Sequence, residues 1–191
     1  MNSNNATEYG KIKNDEFHRL YAKNSSIVDM PKFLIVREPF GRLLSAYRNK
    51  IEPHRDDYFG RMSKSMSKKY RENQSDKEER WATFEEFLKF YTNPMEKQNE
   101  HWVTFKKLAQ PCKYQYDYVL KLEDIEVESN WLFRHLKLDI TYRQGSKPKT
   151  DKHAFIQSYV KEIDSDLLKQ VYKKLEDDYK LFNYPMPTFF E

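Results

Sequence analysis

The sequence predicts an α/β fold, a short parallel sheet flanked by helices. Residues 32–37 (KFLIVR) form a continuous apolar run rich in β-branched residues, the pattern of a strand buried on both faces of a parallel sheet. An amphipathic helical pattern follows that strand at once, and a second strand followed by a helix recurs at residues 116–136. Near the C-terminus, Leu168, Val171, Tyr172, Leu175, Tyr179 and Phe182 line one helical face, the most regular periodicity in the chain.

Residues 1–30 are polar and predict a loose terminus with a weak helix near 13–23, where Phe17, Leu20 and Tyr21 cluster. The rest, residues 31–191, reads as one domain. After the first strand, Pro39 takes a first-turn helical position, and Phe40, Leu43, Leu44, Tyr47 and Ile51 supply the apolar face of a helix that Pro53 ends. From 61 to 80 charge dominates, and the sequence predicts an exposed polar insertion of low order. Thr83 and Glu86 form a capping box ahead of Phe84, Phe87, Leu88 and Tyr91, and Asn93 with Pro94 stops that helix. Tyr118, Val119 and Leu120 dominate the second strand, and Asp124 is placed to cap the helix running to about Leu136.

The bulk composition excludes several classes. With 191 residues the chain suits a single domain that buries roughly two-thirds of its unfolded surface. Fourteen Tyr and thirteen Phe supply apolar contacts a disordered chain lacks. Only four glycines are present, and neither G-x-G-x-x-G nor G-x-x-x-x-G-K-[ST] occurs, so no ordinary glycine-rich phosphate loop is encoded. The net charge of +4 spreads over interleaved acids and bases, which argues against a nucleic-acid binder. Cys112 is the single cysteine, and no two histidines or cysteines stand at metal-ligand spacing, so no metal is expected. No apolar run long enough to span a membrane is present. Sequons at Asn5, Asn24 and Asn73 fall in polar stretches where a glycan fits.

The chemistry concentrates in residues 33–49 (FLIVREPFGRLLSAYRN). Arg37 stands at the C-terminal end of a strand and Ser45 eight residues on, at the sheet edge where ligands of open α/β folds gather. A phosphate there would receive charge-assisted bonds from the Arg37 fork and a hydroxyl bond from Ser45, with the helix N-terminus adding its dipole. Arg42 and Arg48 are further cation candidates. The competing reading pairs Arg37 with Glu38 or another acid and turns Ser45 to solvent.

The segment VREPF-x-RLLSAYRNK closely resembles the 3'-phosphate-binding motif of the Golgi carbohydrate sulfotransferases, the group of the chondroitin 4-O-sulfotransferases and the HNK-1 sulfotransferase. FEEFLKFYTNP, NEHW, QPC, YDYVLKLED and LFNYPMP match family segments in the same order, covering most of the chain from about His18 onward. The resemblance implies part of a P-loop-NTPase-like sulfotransferase fold. It also implies sulfuryl transfer from 3'-phosphoadenosine 5'-phosphosulfate to a sugar hydroxyl of a glycan, such as a chondroitin-like glycosaminoglycan, on the lumenal side of the Golgi membrane. By carry-over, Arg37 and Ser45 hold the 3'-phosphate. The family's basic loop for the 5'-phosphosulfate and its membrane anchor have no counterpart in residues 1–30, so the chain is expected to be N-terminally incomplete, to hold the 3'-phosphate half-site and to be inactive alone. A non-catalytic nucleotide- or glycan-binding module is the alternative. Gly41 replaces a usual acid, Ala109 a usual cysteine and Leu120 a usual glycine.

Sulfuryl transfer needs an in-line acceptor oxygen, a base and cations for the developing charge. His18, in an FHRL segment similar to one in the family, is the candidate base, and His101, beside Trp102, a candidate acceptor contact. Lys64, Lys68, Lys69 and Arg71 form a basic run that would either guide a polyanionic glycan or serve as a solvated face.

Overall fold

The computed structural model describes residues 30–71, 81–143, 145 and 152–190, the side chains of 152 and 153 excepted. The expected helix near 13–23, His18 and the three sequons lie outside the described residues. The elements run β1 (Phe33–Val36), α1 (Pro39–Ala46), a π turn (Tyr47–Ile51), α2 (Tyr58–Tyr70), α3 (Phe84–Thr92), α4 (Phe105–Leu108) and β2 (Tyr118–Lys121). A 3-10 turn (Leu122–Asp124), α5 (Ile125–His135), α6 (Lys152–Val160), α7 (Ser165–Leu181) and a final 3-10 turn (Thr188–Phe190) complete the order.

Among the described residues the sheet has two strands, β1 and β2, paired in parallel with Phe33 opposite Tyr118 and Val36 opposite Lys121. The α/β class and the parallel pairing are as the sequence predicts. Full burial of the first strand is not. Val36 is enclosed, yet Phe33 and Ile35 are 52% and 42% exposed. They share a face on which α5 packs over β2, where Leu120 meets Ile125 and Leu132.

The main core lies on the other side of α1. Phe40, Leu43, Leu44, Tyr47 and Ile51 pack with Phe84, Phe87, Leu88 and Tyr91 of α3, with Trp102, and with Val171, Leu175 and Tyr179 of α7. The capping box forms, with Glu86 N–H donating to Thr83 Oγ1 at 3.2 Å and Thr83 N–H to Glu86 Oε2 at 2.8 Å. Asp124 precedes α5 but makes no side-chain cap bond, because a 3-10 turn already leads the chain into that helix.

The expected polar insertion needs the largest correction. Residues 58–70 form a 13-residue helix, started by Asp57, whose carboxylate accepts the Gly60 N–H at 2.9 Å. Its inward face carries Ser63, Met66 and Ser67, all buried. Small serines let α2 approach its neighbours, and Ser63 Oγ accepts the Ala82 N–H at 2.9 Å. Residues 72–80 of that expected segment lie outside the described residues.

Candidate functional site

Helix α1 has two working faces. Phe40, Leu43 and Tyr47 point to the core, which leaves Gly41 and Ser45, four residues apart, on the opposite side. The π turn then brings Arg48 to that same side, and Arg37 arrives from the end of β1. These four residues line one cleft of about 600 Å³, a size suited to a small organic ligand. The apolar part of its wall comes from Phe155 and Ile156 of α6 and from Pro185, Met186, Pro187 and Phe189 of the C-terminal segment, with Glu38 and Glu123 also in the lining.

Arg37 makes no hydrogen bond or ion pair with any of the described residues, and the Ser45 hydroxyl makes none either. Pairing of Arg37 with Glu38 is therefore not what occurs. The Glu38 carboxylate is taken by other donors: it accepts the Phe40 N–H at 3.1 Å, the Gly41 N–H and the Tyr179 hydroxyl. It thus caps α1 itself, so the first-turn N–H groups and the positive end of the helix dipole face this carboxylate, not a ligand as the sequence suggested. A Cβ at Gly41 would stand 2.8 Å from Glu38 Oε2, too close for this carboxylate to stay in place, but at an ordinary contact distance of 3.9 Å from Arg37 Nε.

Arg48 sits within the cleft with its guanidinium 4.6 Å over the Phe155 ring and Nε 3.7 Å from Glu52. Arg42 turns away. Its guanidinium donates to the carbonyls of Val103 and Glu100, the latter at 2.8 Å, and lies 4.4 Å over the Phe105 ring. Burial lowers its pKa, opposed by nearby Asp178, and its position makes it a strut between α1 and the 99–105 segment.

His101 lies outside the cleft lining, edge-on to Phe59 at 5.5 Å, with its backbone N–H on Asn99 Oδ1 at 3.0 Å. Partial burial lowers its pKa and the Lys50 ammonium adds to this, so the imidazole is neutral at pH 7. Among the described residues no group of His, Cys, Asp and Glu is placed to hold a metal ion.

Sequence reasoning missed Glu123 and Tyr184. Glu123, in the 3-10 turn after β2, lines the cleft, where Oε1 accepts the Glu38 N–H at 3.0 Å and Oε2 accepts the Tyr184 hydroxyl at 2.8 Å. The two prolines after Tyr184 were the available signal, because they stiffen a segment that has to stand as a wall.

The sulfotransferase family profile matches residues 2–185. The chain belongs to the sulfotransferase family. It is 32% identical over 180 residues to carbohydrate sulfotransferase 11 of Rattus norvegicus, covering 87% of this chain and 50% of that protein. It is 34% identical over 162 residues to carbohydrate sulfotransferase 14 of Homo sapiens, covering 82% and 43%. With carbohydrate sulfotransferase 12 of Mus musculus the identity is 29% over 197 residues, covering 91% and 46%. The chain spans about half the length of these curated relatives. No solved structure matches the chain significantly. The short parallel sheet flanked by helices agrees with a sulfotransferase fold, and among the described residues no helix is long and apolar enough to cross a membrane.

Proposed function

We propose that the protein is a carbohydrate O-sulfotransferase and that this chain supplies the half-site for the donor's 3'-phosphate, with Arg37 and Ser45 as its ligands. The observation that carries the reading is a guanidinium and a hydroxyl, both without partners among the described residues, lining one cleft. Arg37 offers two parallel N–H donors to a phosphate and Ser45 one O–H. Arg48 adds a second positive charge nearby. The wall of Phe155, Ile156, Pro185 and Met186 suits the flat apolar part of a nucleoside next to that phosphate. 3'-Phosphoadenosine 5'-phosphosulfate, the donor that family membership implies, would supply the sulfuryl group.

In the transfer itself, an acceptor hydroxyl oxygen bonds to sulfur as the sulfur–oxygen bond to the 5'-phosphate breaks, and the hydroxyl proton passes to a base. His101, neutral at pH 7 and outside the cleft lining, belongs in this scheme with the acceptor. His18 is the candidate base. The acceptor is a glycan, chondroitin-like in this proposal, and the Golgi lumen is the compartment that the family resemblance favours.

A second reading, binding without turnover, is favoured by the cations of the cleft. Arg37 and Arg48 are the only ones among its described lining residues, which leaves few charges for the sulfuryl end. Calorimetric titration with adenosine 3',5'-bisphosphate tests the half-site. Arg37→Ala should weaken binding by at least about tenfold and Ser45→Ala by about threefold, the loss of a cation with its paired donors against that of a single hydroxyl hydrogen bond. Equal affinity in all three proteins removes the phosphate assignment. Transfer of labelled sulfate to a chondroitin acceptor decides between the two readings.

A further inference from the structure

A second groove, of about 430 Å³, lies along α2 and shares no lining residue with the Arg37–Ser45 cleft. Its inner surface is Met66 and Phe90, both buried, and its sides carry the rings of Tyr58 and Tyr70. Three cations line it, Arg61, Lys69 and Lys97, against one carboxylate, Glu96. That carboxylate is already engaged, since it accepts from Lys69 Nζ and, at 2.7 Å, from the Tyr70 hydroxyl. Asn93 Nδ2 donates to the same hydroxyl at 2.9 Å, so this corner is held rigid. Arg61 and Lys97, by contrast, have no side-chain hydrogen bond or ion pair with any described residue.

We infer that this groove is a subsite for an acidic saccharide, a uronate-bearing or sulfated unit of a glycan. Two uncommitted cations offer charge-assisted bonds to its anionic group, and Lys69 stays paired with Glu96 in the wall. The Tyr58 ring, 55% exposed, offers a flat apolar face to the C–H side of a pyranose. The volume matches about one or two sugar rings within the range of small-ligand sites. A nucleic acid fits less well, because a phosphate backbone needs a continuous basic track and the charge here is confined to one short groove. The inference rests on the reading of the protein as a carbohydrate sulfotransferase, and it gives the acidic glycan a foothold away from the donor cleft.

The test is calorimetric titration with a chondroitin hexasaccharide, with chitohexaose as the uncharged control. The double variant Arg61→Glu/Lys97→Glu should bind the acidic hexasaccharide at least about tenfold more weakly, whereas Lys161→Glu/Lys173→Glu, the same charge change just after α6 and on α7, should shift it by less than about twofold. Tyr58→Ala should weaken binding without changing its salt dependence. Thermal melting confirms that each variant is folded. Equal losses in the two double variants would mean diffuse attraction of a polyanion and overturn the subsite. So would equal binding of chitohexaose, no binding of the acidic hexasaccharide by the parent, or a single-stranded oligonucleotide with the same sensitivity to the Arg61/Lys97 change. Titration of Arg37→Ala with adenosine 3',5'-bisphosphate reports on the donor cleft separately, so failure at one site leaves the other result readable.

Discussion

The Tyr184 hydroxyl donates to Glu123 Oε2 at 2.8 Å, and the other oxygen of the same carboxylate accepts the Glu38 N–H at 3.0 Å. One side chain in the 3-10 turn after β2 therefore ties the turn that carries Arg37 to the C-terminal segment that walls the cleft. Lys121 reinforces the tie, with Nζ on the Asn183 carbonyl at 3.1 Å and 4.4 Å over the Tyr184 ring. Burial and the Glu123 carboxylate both push the Tyr184 phenol up, so the hydroxyl keeps its proton at every physiological pH.

Tyr184→Phe removes that proton donor and keeps the ring. We expect a stability loss of about 1 kcal/mol, seen as a fall in Tm of about 3 °C, since one hydrogen bond to a charged group is lost at a partly exposed site. Affinity for adenosine 3',5'-bisphosphate should fall by about threefold to tenfold, because the wall that carries Pro185 and Met186 loses its anchor. A lower Tm with unchanged affinity would show that the segment is structural and not part of the site.

Gly41→Ala sets two effects against each other. Alanine gains about 1 kcal/mol of helix propensity over glycine. Its Cβ, however, would stand 2.8 Å from Glu38 Oε2, displacing the carboxylate that caps α1 and accepts the buried Tyr179 hydroxyl. A lost cap costs about 1 kcal/mol and an unpaired buried hydroxyl about 1–3 kcal/mol, so the displacement wins. Chemical denaturation should find the variant less stable by about 1 kcal/mol; a more stable variant would mean that Glu38 relaxes freely.

The parts of the site within one local pattern were legible in the sequence, and the parts joined across long separations were not. Gly41, Ser45 and Arg48 share a side because Phe40, Leu43 and Tyr47 must share the other. Nothing local separates Arg42 from Arg48 as a ligand candidate. The difference lies in the carbonyls of Glu100 and Val103, 58 and 61 residues away, which engage Arg42. Likewise Tyr184 reaches Glu123 across 61 residues. Helix α2 escaped for another reason: its buried face is built of Ser63, Met66 and Ser67, and serines read as polar even when they serve as small contacts.

Arg71→Ala tests how far α2 and α3 depend on one buried charge. Arg71 Nε donates to Glu86 Oε1 at 2.8 Å and Nη2 to the Trp81 carbonyl at 3.3 Å, and the Glu86 side chain is only 7% exposed. Removing the guanidinium leaves that carboxylate buried with its capping-box bond alone. The expected loss is about 3 kcal/mol, whereas Lys180→Ala, whose partner Glu176 is exposed to solvent, should leave the unfolding midpoint nearly unchanged. Similar losses for the two variants in urea unfolding would place Glu86 in effective contact with water.

His101 gives stability a slope in mildly acidic solution. Its native pKa is depressed by burial and then by Lys50, so the unfolded state binds the proton more readily than the native state does. Stability from this group is therefore complete above the unfolded value of about 6.5 and is lost as pH falls from there toward the depressed native value. The Glu100 carboxylate works against the shift and the Arg42 guanidinium with it. Urea unfolding between pH 8 and pH 5.5 should show the native protein losing stability below about pH 6.5 relative to His101→Gln. Parallel curves for the two proteins would mean that the imidazole titrates normally in the native state.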